Sequence, residues 1–102
     1  MKTPKDCRNM RELRVEIDRI DAQLVQLLAT RSLYIDRAAE LKPSEGLPAR
    51  IEDRVEEVVT KVRAEAQSQG LDADLCEALW RKLIDWSIAR EETVLGPMPD
   101  GE

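Results

Sequence analysis

Between Met10 and Leu41 the apolar residues fall at Met10, Leu13, Ile17, Ile20, Leu24, Leu27, Tyr34, Ala38 and Leu41, the three-four alternation of one helix face. No Gly or Pro occurs from Met10 to Lys42, and Asn9-Met10-Arg11-Glu12 carries the N-cap and N3 residues of a capping box. The spacing predicts one continuous first helix of about 30 residues or more, about 50 Å long at 1.5 Å per residue. A domain of 102 residues is narrower than that. Part of the helix is therefore expected to project from its own subunit and bury its stripe on a partner copy.

The only gap in the stripe is filled by Arg31. A guanidinium directed toward a packed interface needs an anion there, because leaving it unpaired costs a large desolvation penalty. That anion is either a carboxylate side chain, such as Asp21, Asp36 or one from another helix, or a ligand.

Composition narrows the chemistry. With 42% hydrophobic and 36% charged residues, two Trp, one Tyr and no Phe, the chain reads as a charged helical protein with a thin core. A net charge of -5 without a basic block argues against nucleic acid and anionic membrane surfaces. No apolar stretch has the length of a signal peptide or membrane span, and Cys7 and Cys76 lack metal-ligand spacing. The expectation is a cytoplasmic protein with free thiols. The absence of histidine excludes Ser-His-Asp and Cys-His triads, histidine bases and the common zinc ligand sets. Chemistry must run on Lys, Arg, Glu, Asp, Ser and the backbone, and no metal or organic cofactor is implied.

The remainder of the chain predicts two more helices. Thr3-Pro4-Lys5-Asp6 suits a short turn, and residues 1–8 form an N-terminal extension. Lys42 to Pro48 is expected to be a loop by its two prolines and glycine. A second helix carries Ile51, Val55, Val58, Val62 and Ala66 on one face and ends near Gly70, a left-handed C-cap. Asp72 is the N-cap of a third helix to about Leu95, with Leu75, Leu79, Trp80, Leu83, Ile84 and Ile88 apolar and Trp80 and Trp86 assigned to the core. Residues 96–102 read as a polar tail. The fold class is all-α, one domain over residues 1–102 with three helices per chain, joined in an intertwined homodimer.

Helix geometry tests which cations can share a pocket. Arg31 and Lys42 are eleven residues apart and return to nearly the same face, about 16 Å along the axis. Arg14 lies seventeen residues before Arg31, about 25 Å away and a quarter turn off, so it can serve that pocket only across a dimer. Arg54 borders the stripe of the second helix, and Ser87 and Glu91 lie one turn apart on the third. Such a set suits a small molecule with two carboxylates. Taken singly, each has a plainer role: helix cations are mostly solvated or snorkel, Ser87 packs as a small residue, and Glu91 sits in a charged C-terminal turn.

Taken together, Leu13-Arg14, Ile17-Asp18-Arg19-Ile20-Asp21, Leu24, Leu27-Leu28, Arg31, Lys42, Arg54, Gly70-Leu71-Asp72 and Ser87-Ile88 with Glu91 resemble the all-helical chorismate mutases over about residues 8 to 95. The resemblance implies two chains interlocked through the first helix. Arg31 and the partner's Arg14 would bind the substrate carboxylates, assisted by Arg54 and Ser87, with Lys42 and Glu91 at the ether oxygen. It implies conversion of chorismate to prephenate without a protein nucleophile. Two departures stand out. Many members carry glutamine at the Glu91 position, so Glu91 is expected to work only when protonated; and Val55 occupies the place where many bacterial mutases hold a glutamate against the substrate ring. Val55 and the opening Met1-Lys2-Thr3-Pro4-Lys5-Asp6-Cys7 resemble the sister branch, the isochorismate pyruvate lyases of salicylate and siderophore pathways. Those enzymes, however, carry glutamine at the Glu91 position, which ranks mutase ahead of lyase. A third alternative is a non-catalytic helical dimerisation module, in which Arg31, Lys42 and Arg54 each meet a protein carboxylate.

Overall fold

The computed structural model describes residues 1–95; the predicted polar tail, 96–102, lies outside the described residues. A short 3₁₀ turn at Pro4–Asp6 precedes three helices, α1 at Met10–Glu45, α2 at Glu52–Ser68 and α3 at Ala73–Leu95, and no strand occurs among the described residues. The all-α expectation and all three helices are therefore observed. Contacts divide the chain into two units, residues 1–33 and the residues from Tyr34 onward, with α1 running through both.

In the first unit the helix start is built as its sequence predicts. Asn9 Oδ1 accepts from the Glu12 amide at 2.9 Å, while Glu12 Oε1 accepts from the Arg8 amide at 3.1 Å and from Lys2 Nζ at 3.0 Å. The Glu12 amide, otherwise orphaned at the helix start, is thus satisfied, while the return bond of the predicted box goes to Arg8, one residue before the cap, in place of Asn9. These donors hold the Glu12 carboxyl below the usual carboxylate range, Lys2 contributing most. The apolar residues of this unit are largely uncovered: Met10, Val15, Ile17, Ile20, Leu24, Val25, Leu27, Leu28 and Leu33 are all exposed.

In the second unit α1 continues past the expected loop. Pro43 and Ser44 are helical, and the break comes at Gly46, whose φ of 69° is the left-handed region that glycine enters without strain. Pro43 is tolerated in the last turn because only one backbone bond is lost there. The end closes as a Schellman motif, with the Leu47 amide donating to Lys42 O at 2.9 Å and the Gly46 amide to Pro43 O at 3.1 Å. The same motif ends α2: Gly70, φ 72°, donates to Gln67 O, and Leu71 donates to Ala66 O at 2.8 Å. Asp72 then caps α3, its Oδ1 accepting from the amides of Asp74 at 2.9 Å and Leu75 at 3.2 Å.

The principal interhelix packing is between α2 and α3. Val55 and Val59 of α2 meet Ile84 and Ile88 of α3, with Ala49, Val58 and Trp80 at the edge. The buried row of α2 includes Val59, which the predicted face did not contain, while Leu75 and Leu79 of α3 are exposed and Cys76 is buried in their stead. Trp86 is likewise half-exposed rather than core, its ring lying 5.4 Å from the Arg90 guanidinium carbon. Charged pairs flank the apolar seam. Arg81 bridges Glu56 and Glu77, Arg63 reaches Asp74 and Glu77, and Arg50 joins Asp85 at 2.7 Å. Both cysteines are free, Cys7 partly covered and Cys76 buried.

Candidate functional site

The two polar side chains buried most deeply among the described residues, Ser87 and Glu91, lie one turn apart on α3. Ser87 faces inward because it continues the column of Ile84 and Ile88, and its hydroxyl donates to Leu83 O at 2.8 Å. Glu91 lies one turn further along, at 4% exposure, where a carboxylate is costly without a cation.

That cation is Lys42. Its ammonium lies 2.6 Å from Glu91 Oε1 and donates to Ala49 O at 2.7 Å. The lysine and carboxylate side chains retain 16% and 5% exposure, so the pair is screened little by water. The contact is short but poorly directed, leaving Glu91 Oε1 without a well-aligned hydrogen bond. The pair is thus an ion contact with unused accepting capacity. Lys42 reaches it from the last turn of α1 and not, as the two prolines suggested, from a loop.

The other predicted residues are distributed as follows. Arg54 is on the first turns of α2, exposed and paired with Glu57 one turn away; that partner draws the Glu57 carboxyl below its ordinary range. Arg14 is exposed and Arg31 partly buried, both on the portion of α1 that belongs to the first unit. Val55, beside Arg54, is 7% exposed within the α2–α3 core. The structure therefore brings Lys42, Glu91 and Ser87 into one neighbourhood of the second unit. Asp36, a candidate partner for Arg31, engages Arg90 with both oxygens, Nε to Oδ1 at 2.6 Å and Nη2 to Oδ2 at 2.9 Å.

Two participants were not anticipated from sequence. The Ala49 carbonyl is a backbone group that no residue pattern announces. The Asp36–Arg90 pair has a signal in the sequence, opposite charges placed near Lys42 and Glu91 in their respective helices. No group of three or more metal-ligating side chains occurs among the described residues, and no described helix is long and apolar enough to cross a membrane.

These features define an all-α protein that buries a lysine–carboxylate pair at the meeting of its first and third helices. The chain belongs to the type II chorismate mutase family, whose pattern matches residues 13–92. It is 39% identical over 92 residues to an isochorismate pyruvate lyase of Pseudomonas aeruginosa, covering 89% of each chain. It is also 34% identical over 82 residues to the T-protein of Haemophilus influenzae, covering 80% of this chain but only 22% of that protein. A bifunctional chorismate mutase/prephenate dehydratase of Aquifex aeolicus is 28% identical over 95 residues, of which this chain spans 26% of the length.

Proposed function

We propose that the chain catalyses the rearrangement of chorismate to prephenate in a cationic pocket completed by a second copy of itself. The observation that supports the proposal is the match to the type II chorismate mutase family over residues 13–92; the buried contact of Lys42 with Glu91 at 2.6 Å places the ammonium beside the carboxylate as the proposal needs, and is also a pairing the non-catalytic alternative expects. In this assignment the Lys42 ammonium stabilises the negative charge that grows on the ether oxygen as the C–O bond stretches. Such a group is worth more in the transition state than in the ground state. Arg31 and Arg14 of the partner subunit grip the two carboxylates, Arg54 and Ser87 assist, and the guanidinium forks hold the enolpyruvyl arm in its compact chair. Glu91 contributes when protonated, as a donor to the same oxygen. In this arrangement the Glu91 carboxylate also holds the Lys42 ammonium in place.

The homodimer is part of the proposal because Met10, Ile17, Ile20, Leu24, Leu27 and Leu28, which share one face of α1 by helical spacing, are all exposed. An exposed apolar row of this kind marks an interaction surface. A second copy, presenting the same row, is the occupant that fits its length and chemistry.

A second reading, elimination of pyruvate from isochorismate to give salicylate, is favoured by the 39% identity to an isochorismate pyruvate lyase across nine-tenths of both chains. The same cations would serve it. Purified protein incubated separately with chorismate and with isochorismate decides: prephenate from the first supports the mutase, salicylate fluorescence from the second alone replaces it with the lyase, and inertness toward both leaves the dimerisation module.

A further inference from the structure

Asp36 and Arg90 join α1 to α3 through two parallel bonds of 2.6 and 2.9 Å, a fork-to-fork contact that fixes angle as well as separation. We propose that this pair is a positioning device: it holds α1 and α3 in the register at which the Lys42 ammonium meets the Glu91 carboxylate. The proposal rests on the functional reading above insofar as that meeting serves the reaction.

Three observations carry it. The apolar cluster joins α2 to α3 together with Ala49, whereas Ala39 is the one described residue of α1 that is fully covered. The placement of α1 against α3 therefore depends on charged contacts more than on packing. The pair is also adjacent to the groups it would place. Arg90 immediately precedes Glu91, while Asp36, Ala39 and Lys42 follow one another at three-residue intervals along α1, with Ala39, 1% exposed and small, permitting close approach. Finally, Arg90 is braced from its own helix, where the Trp86 ring lies one turn back at 5.4 Å. With side-chain exposures of 43% and 38%, the pair adds little to stability. Its directional geometry is the property left for it to contribute.

The test uses the full chain. Asp36→Asn keeps the shape and removes the charge; Arg90→Lys keeps the charge beside Glu91 but gives up the fork. In ligand-free protein the ¹³C resonance of the Glu91 side-chain carboxyl reports the pair without turnover, and kcat and KM are measured with both substrates. The expected result is a displaced Glu91 resonance, a fall in kcat of about tenfold, as small misplacements of catalytic groups produce, and KM within about twofold. Asp36→Glu, which restores the carboxylate, should recover most of both. If Asp36→Asn does not fold, Arg90→Lys decides by the same readings. A Glu91 resonance unmoved in the folded variants overturns the positioning role. Wild-type protein inert toward both substrates instead overturns the functional reading, and the resonance still decides whether Asp36 and Arg90 place the pair.

Discussion

The Lys42 ammonium and the Glu91 carboxylate meet at 2.6 Å with their side chains only 16% and 5% exposed, and each is the other's compensation for burial. Removing one partner therefore has two effects, one on chemistry and one on folding, and paired substitutions separate them.

Lys42→Ala should be the most damaging single change. Loss of a preorganised cation at a developing oxyanion costs about 100- to 1000-fold in kcat, and the orphaned Glu91 carboxylate should lower stability by about 3 to 5 kcal/mol. Adding Glu91→Gln to Lys42→Ala should return most of the stability and none of the rate. Denaturant titration beside steady-state kinetics checks both halves.

Glu91→Gln alone should separate hydrogen bonding from the ion contact. A carboxylate accepts but cannot donate, while an amide of the same shape does both, so the variant should give up the ion contact with Lys42 and keep a donor for the ether oxygen. Turnover at or above the wild-type level is expected from steady-state kinetics; a loss as large as that of Lys42→Ala would show that the carboxylate itself is needed.

Leu24→Lys, placed in the exposed row of α1, should convert the proposed dimer into monomers and abolish turnover, because the arginine that the neighbour would supply under that proposal is lost with it. Sedimentation velocity and activity measured on the same sample test this. A wild-type protein that sediments as a monomer would refute the two-chain site.

Acid should weaken the second unit slightly through its surface pairs. Hydrogen bonding to Arg90 holds the Asp36 carboxyl below its ordinary 3.8, and hydrogen bonding to Arg81 holds Glu56 and Glu77 below 4.5. A carboxyl depressed in the folded state favours folding above its unfolded value. That contribution shrinks as pH falls below about 4.5 and is gone below the folded values. A thermal melting series from pH 6 to 2 should show the decline setting in below about pH 4.5. Added salt should reduce the Arg81 contribution, since these groups are open to solvent.

Gly70→Ala tests the turn between α2 and α3. A Cβ there would meet no atom within 4 Å, so the entire cost comes from forcing an L-residue to a φ of 72°. A loss of about 1 to 2 kcal/mol is expected, read as a lower denaturation midpoint with unchanged turnover per folded molecule.

The features readable from sequence were those set by local rules. The Asn9 box, the Gly70 cap and the Asp72 cap depend on residues within a few positions of one another, and each formed as the pattern required. The end of α1 was misjudged because Pro43 is a breaker in a helix interior but tolerable in a last turn, and the neighbouring Gly46 decided where the turn fell. Trp86 is assigned to the core by its hydrophobicity, yet it is half-exposed in the single chain, as are the apolar Leu75 and Leu79, because α2 and α3 cover only the faces they turn to each other. Arg31 and Lys42 stood out as cations on an apolar face, but that Lys42 would be held by Glu91 and the Ala49 carbonyl depends on how α1 and the interhelix segment meet α3.

Because α1 continues through Pro43 to Glu45, the amine proposed to stabilise the transition state is carried by a rod rather than by a flap. Its approach is then dictated by the side-chain rotamers that a helical backbone allows. Grafting a longer or stiffer linker after Gly46 would thus disturb the carbonyl that steadies the amine, yet leave its point of attachment where it is.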